Sequence, residues 1–534
     1  MSLQRDTQTL RLVPQEWLFL ALVILGWGMF VICLGKDQSW DFHNYHWYIP
    51  YAFLNGRLGF DISVAHQATY YNPLLDVPFY LLATHAPSWV ALGTLGAVQG
   101  ANVVPLYLMA RSVLTIEPRR LTAAILTLLC MTGGLTISLS GTTYYDTVMS
   151  LFVLGALALV IVWRETLRDG TLARGAMIAG TAGLLIGSAV GLKLPEAPFA
   201  LGLAAALLLL PGDLKHRASR LGAATLGGVL GIAIFAGFWY VKMAHLTGNP
   251  LFPYFNQYFH SPLALTASYR DVRFLPHDLY HALIFPLLFS IDWRVADDLP
   301  FQDIRVGLAY VLLIASVPVW LIAKRARDPL VAPEAAVALF GFAAVSYIAW
   351  LSIFAIYRYI VLLEMLAPLL IAAAIGLWPI PARARLITAA ALLLFAALCM
   401  RTGILERAPL GDPYIQVIMP PIPDPDHTMV LMTGESPLGF LAPSIPHQIP
   451  IVRIDGWMIQ PKDGSRLTAR ARARVDAFQG DLYAIFTDYE LARSVDALAD
   501  YGLEFSLAQC GDIETNLGED YRFCPLTRKL GAKP

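Results

Sequence analysis

Charged residues are scarce in this chain: only 14% of its 534 residues are Asp, Glu, Lys or Arg. Soluble globular domains carry roughly 25% charged residues. The net charge is -1, so the chain also lacks the positive excess with which proteins bind nucleic acids and other polyanions. These two deficits argue against a soluble domain and against a nucleic-acid-binding protein.

Several common sequence signals are missing as well. There is no Gly-rich phosphate-binding loop, which removes the usual soluble nucleotide site. There is no repeat with a fixed period and no low-complexity tract. The polar segment 1–15, with Arg5 and Arg11, precedes an apolar run over 17–34 that is too long for a signal-peptide core and has no small-residue cleavage site. We therefore expect a retained first transmembrane helix.

Apolar residues, in contrast, are abundant. They make up 57% of the chain, and the mean hydropathy is +0.57. Many runs approach the roughly 20 apolar residues that a membrane-spanning helix needs. The eleven predicted spans are 15–35, 88–112, 121–140, 146–164, 172–191, 195–211, 219–242, 305–323, 333–354, 357–378 and 384–401. Two shorter proline-containing pieces, 73–83 and 279–291, are interpreted as re-entrant or interfacial helices, and either would change the count if it spanned.

Positive charges predict the orientation of these spans. Every second connection is short and basic, as the positive-inside rule requires of cytoplasmic loops. The basic groups are Arg111/Arg119/Arg120, Arg164/Arg168/Arg174, Lys215/Arg217/Arg220, Lys324/Arg325/Arg327 and Arg383/Arg385. We therefore expect the N-terminus in the cytoplasm of a bacterium, the bundle in the inner membrane, and the loop with Asp41, the segment 243–304 and everything after Arg401 outside.

The chain changes character near residue 402. A proline-rich stretch leads into β-like runs at Thr428–Met432 and Leu482–Phe486, with amphipathic helical stretches at 465–478 and 489–502. The fold class predicted is mainly α: a polytopic transmembrane bundle over 1–401, followed by a small extracytoplasmic α/β domain over 402–534.

Five cysteines are present, and two of them, Cys510 and Cys524, lie in the C-terminal domain. A close pair in an oxidising compartment predicts a disulfide, although two separate buried thiols remain the alternative. The other three lie in apolar helices and are interpreted as packing residues.

Asp41 is the most informative residue. It follows the first apolar run, inside Trp40-Asp41-Phe42-His43-Asn44-Tyr45-His46-Trp47-Tyr48. An ionisable group where a membrane helix leaves the bilayer is costly and usually functional. Segment 41–55 is a candidate interfacial helix. Asp37 and Asp41 are four residues apart and could share a face. His43, His46 and His66 offer ligands for a divalent metal beside Asp41, but histidines among aromatics are more often polar interface residues.

Other outward loops carry acids and arginines. Asp146 opens the fourth span, either as a helix cap or as a second functional acid, and Asp76 is a further candidate for that acid. Glu364 lies inside the tenth span, where it either pairs with a buried group or lines a lipid groove. The arginines suited to a phosphate are Arg270, Arg273, Arg294 and Arg358, each of which could instead form a structural ion pair.

In order and topology these motifs resemble the GT-C superfamily of membrane glycosyltransferases, close to family 39, with its protein mannosyltransferases and aminoarabinose transferases, and to family 87. The resemblance covers about residues 15–400. It rests on Asp41 after the first helix, Tyr71-Asn72-Pro73-Leu74, the Gly141-Thr142-Thr143-Tyr144 turn before Asp146, Lys193-Leu194-Pro195, Gly248-Asn249-Pro250-Leu251-Phe252-Pro253, and Arg358-Tyr359. The lone Asp of Asp-Phe-His departs from the family's paired acids and leaves metal dependence open.

The resemblance implies inverting transfer of a sugar from a polyprenyl-phosphate donor to a hydroxyl of a glycan, lipid or protein acceptor. Asp41 would act as general base and Asp146 as the second acid. Donor and acceptor contacts would come from Arg358, Tyr359, Lys193, Arg270, Arg273, Arg294, Asp76, His43 and His46. No cofactor is implied with certainty, and a divalent metal held by Asp41 and His43 stays an alternative. Two rival functions remain, a transporter or flippase of a lipid-linked sugar and a non-catalytic assembly protein.

Overall fold

The structure is a computed structural model that describes residues 12–322, 326, 328–403, 405–518 and 520–529. For residues 320–322 the description covers the backbone only. The predicted cytoplasmic residues Arg5, Arg11, Lys324, Arg325 and Arg327 lie outside the described residues.

Helices dominate the described residues. Their bounds are α1 Pro14–Leu34, α2 Tyr48–Leu54, α3 Val77–His85, α4 Ser88–Gly100, α5 Val103–Val113, α6 Arg119–Met131, α7 Gly134–Ser138, α8 Asp146–Val162, α9 Arg164–Asp169, α10 Leu172–Leu192, α11 Ala197–Leu209, α12 Leu214–Thr247, α13 Asn256–Phe259, α14 Leu279–Ile291, α15 Arg305–Ile322, α16 Pro333–Ile353, α17 Val361–Gly376, α18 Ala382–Cys399, α19 Arg466–Ala477 and α20 Leu491–Asp500.

Strands are short and lie mostly near the C-terminus. Their bounds are β1 Lys36–Asp37, β2 Phe301–Gln302, β3 Arg401–Thr402, β4 Arg407–Ala408, β5 Val417–Ile418, β6 Thr428–Met432, β7 Ile451–Arg453, β8 Asp481–Thr487, β9 Leu503–Glu504, β10 Gly511–Thr515 and β11 Tyr521–Arg528. The predicted strands and helices of the C-terminal segment therefore match β6, β8, α19 and α20 to within a few residues.

Among the described residues, seven helices are long and apolar enough to cross a membrane. They are Pro14–Leu34, Ser88–Val113, Leu172–Leu192, Leu214–Thr247, Pro333–Ile353, Tyr357–Gly376 and Ala382–Cys399. Each of them overlaps one predicted span. Four shorter apolar helices are Asp146–Val162, Leu194–Leu209, Leu279–Ile291 and Arg305–Val319. The chain is thus a mainly α integral membrane protein with a C-terminal sheet domain.

The predicted continuous span 121–140 is wrong, because α6 ends at Met131 and α7 begins at Gly134. The backbone groups freed by this break find partners on neighbouring segments. The Glu364 carboxylate accepts from the N–H groups of Leu135 (3.3 Å) and Thr136 (2.8 Å).

Two more side chains form hydrogen bonds with backbone groups at this break. The Asp303 carboxylate accepts from Gly134 N–H at 2.9 Å, and Arg305 donates to the Leu129 carbonyl at 2.9 Å. Broken helices persist inside membranes only where such partners exist. Of the two interpretations of Glu364, the described contacts match the buried pairing rather than a lipid groove.

Helices α10 and α12 pack closely through glycines. A Cβ on Gly183 or Gly187 would collide with the backbone of α12 at Ala224 and Gly228, and one on Gly227 would collide with Gly180. Small residues at four-residue spacing let the backbones of membrane helices approach each other. At these positions the glycines therefore allow the backbones of the two helices to lie directly against each other.

The chain divides into two compact units. Unit 1 comprises the chain to Cys33, Gly93–Gly237 and Asp271–Leu405, and unit 2 comprises Leu34–Leu92, Phe238–Arg270 and the chain from Glu406. The domain boundary predicted near residue 401 lies close to the start of the last segment of unit 2. It does not anticipate that the segments Leu34–Leu92 and Phe238–Arg270 belong to the same unit as the C-terminal domain.

Unit 2 is built on a seven-stranded mixed sheet with the order β5-β10-β11-β8-β6-β7, and β9 pairs with β11. Strands β7, β6 and β8 run parallel, whereas β8, β11, β10 and β5 pair antiparallel. The segment around Ile62 extends this sheet, because Ile62 N–H donates to the Ile451 carbonyl and Ile62 C=O accepts from Arg453 N–H, both at 3.0 Å. A buried Arg57–Asp61 ion pair holds the loop at this edge, since Asp61 also accepts from Ile451 N–H at 3.0 Å.

Candidate functional site

Asp41 lies at the start of a π-helical turn, Phe42–His46, which runs directly into α2. Single π turns occur frequently at functional sites. The Tyr45 hydroxyl donates to the Asp41 carboxylate at 3.0 Å. Segment 41–55 is thus helical as predicted, but Asp37 lies in β1 and cannot share a helix face with Asp41.

His46 and Asp76 form a buried pair in unit 2. His46 Nδ1 lies 2.6 Å from the Asp76 carboxylate. The Asn72-Pro73 dipeptide places this acid, because the Asn72 side chain accepts from Leu74 N–H at 3.1 Å and starts a 3₁₀ turn that ends at Asp76. Since Asp76 binds one nitrogen of His46, it orients the imidazole. We call Asp41, Tyr45, His46 and Asp76 the Asp41 cluster.

Two tyrosines lie beside this cluster. The Tyr45 ring contacts the His46 ring at 4.0 Å and the Tyr71 ring at 5.6 Å between centroids. The Tyr71 and Tyr254 hydroxyls are hydrogen-bonded. Tyr254 follows the Gly-Asn-Pro stretch, where the Asn249 side chain donates to its carbonyl at 2.9 Å. That stretch therefore positions an aromatic side chain.

Asp146 and Lys193 form an ion pair in unit 1. Asp146 is the first residue of α8 and not its N-cap, a position held by Tyr145, so the capping alternative is wrong. A negative charge in the first turn of a helix still interacts favourably with the helix dipole. Lys193 ends α10 and also donates to the Tyr144 carbonyl at 2.9 Å. Lys193 thus ties the end of one helix to the start of another.

Arg358 lies in a 3₁₀ turn, Tyr357–Ile360, directly before α17. Its guanidinium carbon lies 4.6 Å from the Tyr144 ring centroid and 5.4 Å from that of Tyr359. Lys193 Nζ lies 5.3 Å from the same Tyr359 ring. Two cations therefore share one aromatic ring. We call Tyr144, Asp146, Lys193, Arg358 and Tyr359 the Arg358 cluster.

Asp297 supports this cluster and was missed by the sequence analysis. Its carboxylate accepts from Arg358 N–H at 2.6 Å and from Leu299 N–H at 3.0 Å. Burial raises the pKa of Asp297 to about 6, although the nearby Arg358 charge opposes that rise. Asp297-Asp298 in the sequence is a pair of adjacent acids, and nothing local distinguishes the buried one from its exposed neighbour.

The other predicted phosphate-binding arginines have different surroundings. Arg273 pairs with Asp271 and with Asp298, at 2.7 Å in each case. Arg294 is exposed, packs on Trp293 and lies 3.4 Å from Asp292. Arg270 is exposed. Nearby acids thus neutralise Arg273 and Arg294, so Arg358 is the better candidate for binding a phosphate.

The predicted metal ligands are not assembled into a metal centre. His43 packs on the Phe440 ring at 4.8 Å, and His46 binds Asp76. Within the described ranges, no group of three or more His, Cys, Asp or Glu side chains is placed to hold a metal ion.

Cys510, the residue directly before β10, and Cys524 of β11 form a disulfide in unit 2, the pair that the sequence analysis names. Cys33, Cys130 and Cys399 are free.

Comparison of the chain with protein-family models, with curated proteins and with solved structures finds no match.

Proposed function

We propose that this protein is a membrane glycosyltransferase that transfers a sugar, with inversion, from a polyprenyl-phosphate donor to an acceptor hydroxyl. The proposal starts from the motif resemblance and gains support from the chemistry of the two clusters. A lipid-linked donor already carries its leaving group, so the enzyme needs a base for the acceptor and cations for the phosphate.

One observation carries the proposal: Lys193 and Arg358 lie over the same Tyr359 ring. Both cations lie at the ends of apolar helices, α10 and α17, where a lipid phosphate would meet the protein. A guanidinium binds phosphate oxygens through two parallel hydrogen bonds. Charge that develops on the departing phosphate would be stabilised there, an effect that is often the largest in catalysis.

Asp41 is the proposed general base. It would take the proton of the acceptor hydroxyl during attack on the anomeric carbon, while the donor's carbon–oxygen bond to phosphate breaks. Tyr45 would hold the carboxylate through its 3.0 Å hydrogen bond. A positioned base contributes about 10²–10⁴-fold to such reactions.

Asp146 receives a different role from the one first expected. It is bound to Lys193, so it would position the cation and not act as a second acid. Asp76 would likewise orient His46, through the 2.6 Å contact.

The proposed location is the bacterial inner membrane, with the C-terminal domain outside. The basic connections that support this orientation include Arg164, Arg168 and Arg174. A periplasm-specific reporter fused after residue 534 should be active, and a cytoplasm-specific reporter at the same place should not. The reverse pattern would contradict the orientation.

The activity is tested with the full-length protein in lipid vesicles. The probes are polyprenyl-phosphate mannose, glucose and aminoarabinose, and membranes from cells that lack the protein supply acceptors. Release of polyprenyl phosphate that depends on the protein, with label in the acceptor fraction, is expected for at least one donor. Absence of release from all three, by protein that retains its native helical content, would overturn this donor class.

A flippase remains the second candidate, because the break between α6 and α7 is of the kind found in transporters. The same vesicles decide between the two functions. A flippase moves the intact lipid-linked sugar across the bilayer without cleaving it, whereas the proposed enzyme releases polyprenyl phosphate.

A further inference from the structure

Three rings of unit 2 form an aromatic shelf: Trp40, His66 and Trp457. The Trp40 and Trp457 rings stack at 4.6 Å between centroids, with 18° between their planes. His66 lies 5.4 Å from Trp457 and 6.1 Å from Trp40, again nearly parallel. Trp457 comes from the loop after β7, a part of the chain to which no motif assigns a role.

One face of Trp457 is left open by the other two rings. Rings stacked on opposite faces of a third lie at least about 7 Å apart, since each stacking step is about 3.5 Å. Trp40 and His66 are only 6.1 Å apart, so they do not sandwich Trp457. Its side chain is 47% exposed, an unusual state for an indole that is stacked on one side.

The position of Trp457 is held by a polar network. Its backbone N–H donates to His66 Nδ1 at 3.3 Å, and His66 Nε2 in turn lies 3.2 Å from the Glu435 carbonyl oxygen. Arg493 bridges Glu435 and Asp455, at 2.8 Å and 2.5 Å. An exposed tryptophan without function would not need such fixation.

His66 is suited to this shelf because it is neutral. Burial and the neighbouring Arg453 charge lower the pKa of His66 well below its usual range. The Nδ1 atom of His66 accepts from the backbone N–H of Trp457, and its Nε2 atom lies 3.2 Å from the Glu435 carbonyl oxygen. Both contacts match the tautomer with the proton on Nε2. Residue 456 must be a glycine, because a Cβ at this position would collide with the His66 ring.

We propose that this aromatic shelf binds the pyranose ring of the acceptor glycan, with Trp457 as the stacking residue and Glu435 and Arg493 as hydrogen-bonding partners of its hydroxyls. The inference rests on the proposed function, because Trp40 is the chain neighbour of the proposed base Asp41. An apolar aromatic face beside a few fixed polar groups is the usual composition of a small-molecule site. The C–H groups of a pyranose carry the partial positive charge that the face of an aromatic ring attracts.

The experiment measures binding without turnover. Full-length protein in detergent micelles is mixed with mannotriose, maltotriose or chitotriose, and saturation-transfer NMR reports the sugar protons that contact the protein. For at least one trisaccharide, saturable transfer to the ring protons is expected. Trp457→Ala should weaken it about 5- to 10-fold, and Trp457→Phe should retain most of it. Trp89→Ala is the control, since Trp89 is an exposed tryptophan of unit 2, at 56% against 47% for Trp457.

Two results would overturn the shelf: no saturable signal from the wild type with any of the three sugars, or equal signals from wild type and a natively folded Trp457→Ala protein. Asp41→Asn separates this inference from the proposed function. That variant should keep the sugar signal even though transfer is lost. If Asp41→Asn transfers normally while Trp457→Ala still loses the signal, the proposed base is wrong and the shelf stands.

Discussion

The Tyr45 hydroxyl donates a hydrogen bond to the Asp41 carboxylate at 3.0 Å within one π-helical turn. The contact links a residue pair four apart in the chain, a spacing that the local turn brings together. It gives the carboxylate one defined orientation.

Asp41→Asn keeps the size of the side chain but removes its basicity. Turnover should fall at least about 100-fold, the lower range of general-base catalysis, while the unfolding temperature stays close to that of the wild type. Tyr45→Phe should cause a smaller loss, because the base remains and only its orientation is relaxed. Sugar transfer in vesicles measures both. Asp424→Asn, which removes an exposed carboxylate of the same unit, should be neutral, and near-normal transfer by Asp41→Asn would refute the base.

Arg358→Lys keeps the charge but removes the planar donor pair. The apparent donor constant should rise roughly tenfold or more, because a hydrogen bond to a charged group is worth about 1.5–3 kcal/mol. Donor titration at a fixed acceptor level measures it. Arg294→Lys is the control, since that arginine is exposed. If donor binding is unchanged while stability falls, Arg358 is a structural residue.

The Asp146–Lys193 ion pair is tested by a double-mutant cycle. Lys193→Met leaves the buried Asp146 carboxylate without its cation, which should cost about 3–5 kcal/mol of unfolding free energy. Asp146→Asn with Lys193→Met should recover most of that loss, because no uncompensated charge remains. Chemical unfolding in micelles measures each variant. A loss in the double variant equal to the sum of the losses in Lys193→Met and Asp146→Asn alone would show that the two side chains are not energetically coupled.

Asp297 predicts a pH dependence. Its pKa is raised from 3.8 to about 6 by burial, so between these values the folded protein holds a proton that the unfolded chain has released. Stability must therefore fall as pH rises from about 4 to about 6, by an amount on the order of 3 kcal/mol, and become flat above. Thermal unfolding across that range should show the step in the wild type and lose it in Asp297→Asn. Asp298→Asn, at the exposed neighbour, should keep the step.

The disulfide predicts a labelling pattern. A thiol reagent added to the unfolded, unreduced protein should label the three free cysteines, Cys33, Cys130 and Cys399. Cys510→Ser with Cys524→Ser should lower stability by about 3 kcal/mol, the chain-entropy value for a loop of this size. Cys33→Ser is the control. Five labelled cysteines in the unreduced protein would show that the bond is absent.

Properties that depend on a short stretch of chain were predictable from the sequence. The helices Leu172–Leu192 and Pro333–Ile353 follow from local length and hydrophobicity, because a bilayer selects apolar runs of about 20 residues wherever they occur. The strand Thr428–Met432 and the helix Arg466–Ala477 follow from local periodicity in the same way. The two cysteines could be paired because only fourteen residues separate them.

Partners that are distant in the chain were decided by the tertiary structure alone. Asp146 and Lys193 are 47 residues apart, and Asp297 and Arg358 are 61 apart. Nothing in either local sequence selects the other. The break at 132–133 falls at Thr132-Gly133-Gly134, a helix-breaking sequence within an apolar stretch. What the local sequence does not show is that Glu364, Asp303 and Arg305 supply the missing backbone partners.

The same limit applies to the aromatic shelf. The sequence contains Trp40 and Trp457 but does not predict that their rings stack. The pairing of Ile62 with β7 brings the first of these segments to the sheet, where the two indoles stack. Hydrophobicity and periodicity are properties of one segment, and they therefore determine which elements form. A contact between segments depends on how all of them pack at once. The sequence therefore named most of the candidate residues, but only the folded chain showed how they group into two clusters.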